Sequence, residues 1–270
     1  MGQVVHTLNE GEVVYEVTSL AGEIYVLRHE RDQVEVYDNI TYRLQRCLTV
    51  PNLRSFIDIA SCEHYCCIYI SDADAECIRR LDAQGAATQW PMNDKPWGLS
   101  VNAQHNLLVT CREARKIKEF TTDGHIVRTM SLPGDVINPW HTVQSRSGQF
   151  IVCHGYPGDA VHRVCMISAD GRHIVHSHGG QRGSRTGQYD VPVHLAVDND
   201  EFVFVVDVYN RRVTLLSPTL HYVRQVVSSD QLKWRPERVY LDTHKRFLYV
   251  GESERKDGEW TAGRVVVFRV

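Results

Sequence analysis

His141 and His194 stand at the same place in a recurring phrase, each the second residue after a proline, in Pro139-Trp140-His141 and Pro192-Val193-His194. Two imidazoles brought to equivalent points can supply two ligands of a metal site, and catalytic zinc takes three protein ligands and keeps one position open. Gly98 and Arg238 hold the equivalent places after Pro96 and Pro236, and neither ligates. A third ligand would therefore come from His154 or Cys153 on a loop folding inward. The alternative is a pair of hydrogen-bonded histidines without an ion. Cys153 and His154 do not form a nucleophile–base pair by themselves, since neighbours on a strand point to opposite faces. The same geometry separates Cys66 from Cys67 and weighs against zinc in the run Cys62, Cys66, Cys67, Cys77. His173, His176 and His178 alternate along an outer strand, which an exposed polar edge accounts for. No Gly-x-Ser-x-Gly elbow is present. Gly179, Gly180, Gly183 and Gly187 precede no helix that would offer its N-terminus to a phosphate.

A second chemistry lies in basic residues with aromatic neighbours. Arg112, Arg115 and Lys116 fall in one charged loop, Arg182, Arg185 and Arg238 near two of the prolines, Arg211 and Arg212 in another loop, and Lys233 and Arg235 in a third. Tyr209 and Trp234 sit among them, with Trp97, Trp140 and Tyr189 in neighbouring segments. Such a set suits single-stranded RNA through phosphate pairing and base stacking, at roughly 1–3 kcal/mol per base. Arginine and aromatic residues on a rim equally suit a protein partner, where they are the usual anchors. The alternative is that the charges solvate loops and that Trp97 and Trp140 plug joints between sheets. The segments from Arg28 to Asp32 are mixed in sign, and Asp72, Asp74 and Glu76 make an acidic flank.

The elements that position these residues repeat. Pro96-Trp97-Gly98-Leu99, Pro139-Trp140-His141-Thr142, Pro192-Val193-His194-Leu195 and Pro236-Glu237-Arg238-Val239 each open a short apolar strand. They recur at roughly 40–50-residue intervals, the spacing of a four-stranded propeller blade. Apolar runs such as Cys67-Ile68-Tyr69-Ile70 and Phe202-Val203-Phe204-Val205-Val206 occur once per unit and predict middle strands buried on both faces. Asp38-Asn39, Gln84-Gly85, Asp123-Gly124, Asp170-Gly171 and Ser217-Pro218 mark hairpin turns, with Asn or Gly supplying positive φ. Units of about 12–49, 55–91, 96–132, 139–178 and 192–228 hold four strands each, and 236–270 holds three. The spare strand Gln3–Leu8 completes the last unit and hides its edge. The expected fold is thus all-β, a six-bladed β-propeller, with residues 1–270 as one domain.

Composition agrees and excludes little else. The chain has 270 residues, 43% hydrophobic and 23% charged, with formal charge −3, so any nucleic-acid affinity must be local. No segment reaches the ~18 apolar residues of a membrane helix, and the start lacks a signal peptide. Position 6 is His where a myristoylation signal needs Ser or Thr. Eight Cys without a secretory signal read as reduced, buried side chains, and the expected setting is cytoplasmic and monomeric.

The segment Gly187-Gln188-Tyr189-Asp190-Val191-Pro192, its strand ending Val197-Asp198, and Val206-Asp207-Val208-Tyr209-Asn210-Arg211-Arg212-Val213 together resemble the NHL repeat. Other units are degenerate, with Cys111 and Cys153 where that family has Asp. The resemblance implies a propeller whose loop-bearing face binds proteins or RNA, as in the C-terminal domains of tripartite-motif ubiquitin ligases. It also admits a zinc-dependent, lyase-like enzyme with a His-lined channel, since peptidyl-hydroxyglycine lyases are NHL-like. No RING or B-box spacing is present. The expectation is a non-enzymatic module for a protein ligand, with single-stranded RNA and the zinc enzyme as alternatives.

Overall fold

The structure, a computed structural model, describes residues 1–8, 10–28 and 33–270. Its strands form six four-stranded antiparallel sheets, five of them meanders in sequence order and the sixth completed by the N-terminal strand. Blade one runs from Val14–Leu20 outward to Leu44–Thr49, and blade two from Phe56–Cys62 to Ala87–Pro91. Blade three spans Leu99–Val101 to Ile126–Ser131, blade four Pro139–Gln144 to Ile174–Gln181, and blade five Pro192–Val197 to Tyr222–Val227. Blade six has Arg235–Asp242, Phe247–Lys256 and Glu259–Arg269, and Gln3–Thr7 supplies its outermost strand. The innermost strands touch in a closed circle, the sixth meeting the first. Among the described residues, no helix is long and apolar enough to cross a membrane.

Second strands such as Cys67–Asp72, Phe150–His154 and Val203–Asp207 are buried throughout, sandwiched between neighbouring blades. Outermost strands are largely exposed, and their alternation shows only one packed face. The glycine turns behave as expected, with φ of 86° at Gly85, 84° at Gly124 and 79° at Gly171. At the other two turns the left-handed residue is Tyr42 (57°) or Leu220 (60°) and not the Asn39 or Pro218 of the motif. Cys66 is not in a strand either. It is exposed in a turn at φ 48°, while Cys62 and Cys67 face each other across the hairpin.

One local irregularity sets up everything at the axis. Pro139 pairs with His154 but His141 with Cys153, so Trp140 is an extra residue opposite one register step. The same bulge recurs between Pro192 and His194, between Pro236 and Arg238, and between Val14 and Glu16, and a related one lies between Phe56 and Ile59. A bulge re-aims the side chains on either side of it. Here the inserted residue in blades one, two, four and six turns toward the upper face, where the chain enters each innermost strand, whereas Val193 of blade five packs into the core; the residue after it points at the axis.

Candidate functional site: an axial ring beneath an aromatic chamber

The ring consists of Glu16, Asp58, Gly98, His141, His194 and Arg238, one position per blade in order. Arg238 Nε pairs with Glu16 Oε1, and its terminal nitrogens donate to the carbonyls of Glu237 (2.9 Å) and Ile57 (3.2 Å). Burial pulls the Arg238 guanidinium down to about 10, so it stays charged at neutral pH. Arg238 is therefore a buried axial strut and not the rim contact that its position in sequence suggested.

Asp58 and the two histidines form the other half. Asp58 accepts from Ile59 N (2.8 Å) and Leu99 N (2.7 Å). His141 Nε2 lies 3.8 Å from Asp58 Oδ2, and His194 Nε2 lies 3.7 Å from Oδ1. The imidazole centroids are 3.9 Å apart. Burial raises the Asp58 carboxyl to about 7 and holds both histidines near 3, with the neighbouring His194 adding to the effect on His141. Gly98 permits this grouping. A Cβ there would meet Trp140 O at 2.4 Å and His141 Cα at 2.9 Å, so any side chain would displace the pair. The third member is thus Asp58, and neither His154 nor Cys153 reaches the group. Blade two lacks the proline that marks the phrase elsewhere, yet Asp58 lies two residues beyond Phe56, as His141 lies two beyond Pro139.

His154 instead occupies the place of Asp207, since Pro139 pairs with His154 as Pro192 pairs with Asp207. The residue replacing the repeat's Asp in blade four is therefore His154 and not Cys153. Its Nε2 accepts from Arg163 Nε (2.9 Å), and Arg163 pairs with Asp135 at 2.6 Å. Cys153 Sγ donates to His141 O at 3.7 Å, and burial pushes its thiol up, so it is no nucleophile. Burial, then the Arg163 charge, holds His154 at about 4 against an ordinary 6.5. The sign follows directly. The unfolded chain binds the extra proton first, so this contribution is complete above pH 6.5 and is lost as pH falls toward 4. His154→Gln, which keeps an acceptor for Arg163, is expected to remove roughly 3 kcal/mol of acid sensitivity, measured as a flatter plot of urea midpoint against pH.

Above the ring, the inserted residues Tyr15, Ile57, Trp97, Trp140 and Glu237, with Trp260, line a chamber of about 160 Å³. Burial raises the Glu237 carboxyl to about 8, against the pull of Arg235 and Arg255. Beside it, the Arg112 guanidinium carbon lies 4.2 Å from the ring centres of both Trp140 and Tyr156, and 4.9 Å from that of Trp97. Trp140 Nε1 donates to Gly155 O at 2.9 Å, whereas the buried Trp97 Nε1 has no partner among the described residues. Trp97 and Trp140 do pack at blade joints, and they also wall the chamber.

The remaining basic residues are dispersed and mostly engaged. Arg212 holds the buried Asp207 (2.8 Å) and Gln188 O (2.6 Å), and Arg211 donates to Leu232 O (2.6 Å) and neighbouring carbonyls. Arg182 pairs with Asp190, Lys233 with Glu10, and Lys116 approaches Asp94 at 3.9 Å. Arg235 covers Tyr209 at 4.4 Å, and Lys233 covers Trp234 at 4.4 Å. Arg115 and Arg185 remain exposed. Asp72 is buried against Arg79 and adds nothing to an acidic rim, and Tyr189 is buried with its hydroxyl on Thr214. His29, Glu30, Arg31 and Asp32 lie outside the described residues.

No protein-family profile and no curated protein matches the chain. Solved structures do, over nearly its full length. The PQQ-bound aldose sugar dehydrogenase from Streptomyces coelicolor has TM-score 0.71 and 14% identity, covering 99% of this chain and 98% of that one. A streptogramin B lyase has TM-score 0.67 and 14% identity, over 95% and 87%. The β-propeller domain of Cps50 (Swd1) from Myceliophteria thermophila has TM-score 0.66 and 10% identity, over 100% of both. These likenesses and the ring of six sheets define the chain as a six-bladed β-propeller. Chains as different as a dehydrogenase and a lyase share the architecture, so it assigns no activity.

Proposed function

We propose that this propeller, of NHL type, is a non-enzymatic module that takes a protein ligand on its upper face, with one partner side chain entering the axial chamber. The observation carrying this is the cluster of Arg112, Trp97, Trp140 and Tyr156 at the chamber's edge. Arginine and tryptophan in a confined, desolvated setting are the residues that dominate interface energies. Tyr156 is 43% exposed, so a partner can reach it. Blade five supports the NHL reading, because Asp207, Asn210 and Arg212 interlock at 2.8 Å as one unit.

A displayed peptide library selected on the protein tests this. Enriched peptides are expected to weaken about 10-fold or more with Tyr156→Ala and Arg112→Gln, with thermal unfolding checked for each variant. Peptides indifferent to both changes would place recognition elsewhere. RNA is the competing outcome and would show steep loss of affinity with salt. Arg115 and Arg185 are the positions to reverse for that comparison, since Arg211 and Arg212 hold the fold together.

A further inference from the structure

We propose that Asp58, His141 and His194 bind one divalent ion of the zinc class on the propeller axis, open to the cavity below the ring. The side chains come from three blades, and one ligand atom of each lies within 4.8 Å of the others. Ligands about 2.0–2.1 Å from a tetrahedral zinc stand about 3.4 Å apart. The ligand atoms of this set stand up to 4.8 Å apart, so they need to draw together by up to about 1.4 Å to reach that spacing.

Two further observations point to a ligand. Among the described residues, both nitrogens of His194 are buried with no hydrogen-bond partner, as is Nδ1 of His141. Buried polar atoms are nearly always partnered, so an imidazole with neither nitrogen satisfied marks an unfilled coordination or hydrogen-bonding need. The Nε2–H of His141 donates to Leu99 O at 2.8 Å, which leaves the unprotonated Nδ1 as the nitrogen of this ring able to ligate. Asp58 keeps lone pairs beyond its two backbone contacts and brings the negative charge that a dication needs.

Two imidazoles and one carboxylate suit zinc or cobalt better than magnesium or calcium, which prefer all-oxygen sets. His141 and His194 line a cavity of about 180 Å³ below the ring, with Thr18, Ser61 and Ser100 on its walls. The ion would thus sit on the side of the ring away from the aromatic chamber.

Protein stripped with chelator and titrated with zinc in a calorimeter is expected to take up one equivalent, with a rise in thermal midpoint. Cobalt in place of zinc is expected to show the visible absorption of a four-coordinate site. Asp58→Asn and His194→Gln should each weaken binding more than about 100-fold, while His64→Ala, at an exposed histidine stacked on His105, leaves it unchanged. Absence of stoichiometric uptake by folded wild-type protein would overturn the assignment. So would uptake that survives both ring substitutions, or uptake removed by His64→Ala alone.

Discussion

Glu16→Ala is expected to lower the unfolding free energy by about 3–5 kcal/mol, because it strands the Arg238 charge in the centre of the molecule. Arg238 would keep only the carbonyls of Glu237 and Ile57, which do not neutralise a guanidinium. The double variant Glu16→Leu with Arg238→Met removes both charges and retains volume. It should lie near wild-type stability or above it, since replacing a buried ion pair with apolar side chains commonly stabilises by 1–4 kcal/mol. Urea midpoints at constant slope separate these outcomes. A single-variant loss below about 1 kcal/mol would mean that water reaches the pair, as for a surface salt bridge.

Removing residues 1–8 is expected to lower the thermal midpoint by about 10 °C or more, and to promote self-association. Leu8 is fully buried with its N–H on Val265 O, and Gly2 N donates to Val226 O at 2.7 Å in the adjoining blade. Gln231 Nε2 returns a bond to Gly2 O at 2.8 Å. Their loss bares the edge of Glu259–Arg269, a template for strand addition. A peptide of residues 1–8 supplied in trans should restore much of the midpoint by re-forming that ladder. A truncated protein that melts like the full chain and stays monomeric would show that closure contributes little.

Much of the architecture was legible because proline, which cannot donate to a ladder, marks the start of four innermost strands. The apolar second strands then supplied the phase, and both the blade limits and the completing N-terminal strand follow from them. The axial ring was only half visible. Val14 and Phe56 stand where the other blades have proline, so Glu16 and Asp58 carried no flag, although both lie two residues beyond the pairing partner of their second strand. Tyr15, Ile57 and Glu237 were missed because the bulge that lifts them is a property of register, which even Pro236 beside Glu237 does not announce. The basic arc was misjudged for a different one. Glu10 and the carbonyls around Leu232 capture Lys233 and Arg211 from distant segments, while Asp190 and Asp207, nearer in sequence, hold Arg182 and Arg212, and composition does not reveal such pairings.

The seam between the two chain ends also fixes how the molecule answers to pulling. Gln3 lies opposite Arg269 in an antiparallel pair, so both ends leave the sheet at one corner. Tension across them peels hydrogen bonds one after another and never loads the row in shear. A tether at each end would thus open the ring at small force, however resistant it is to heat.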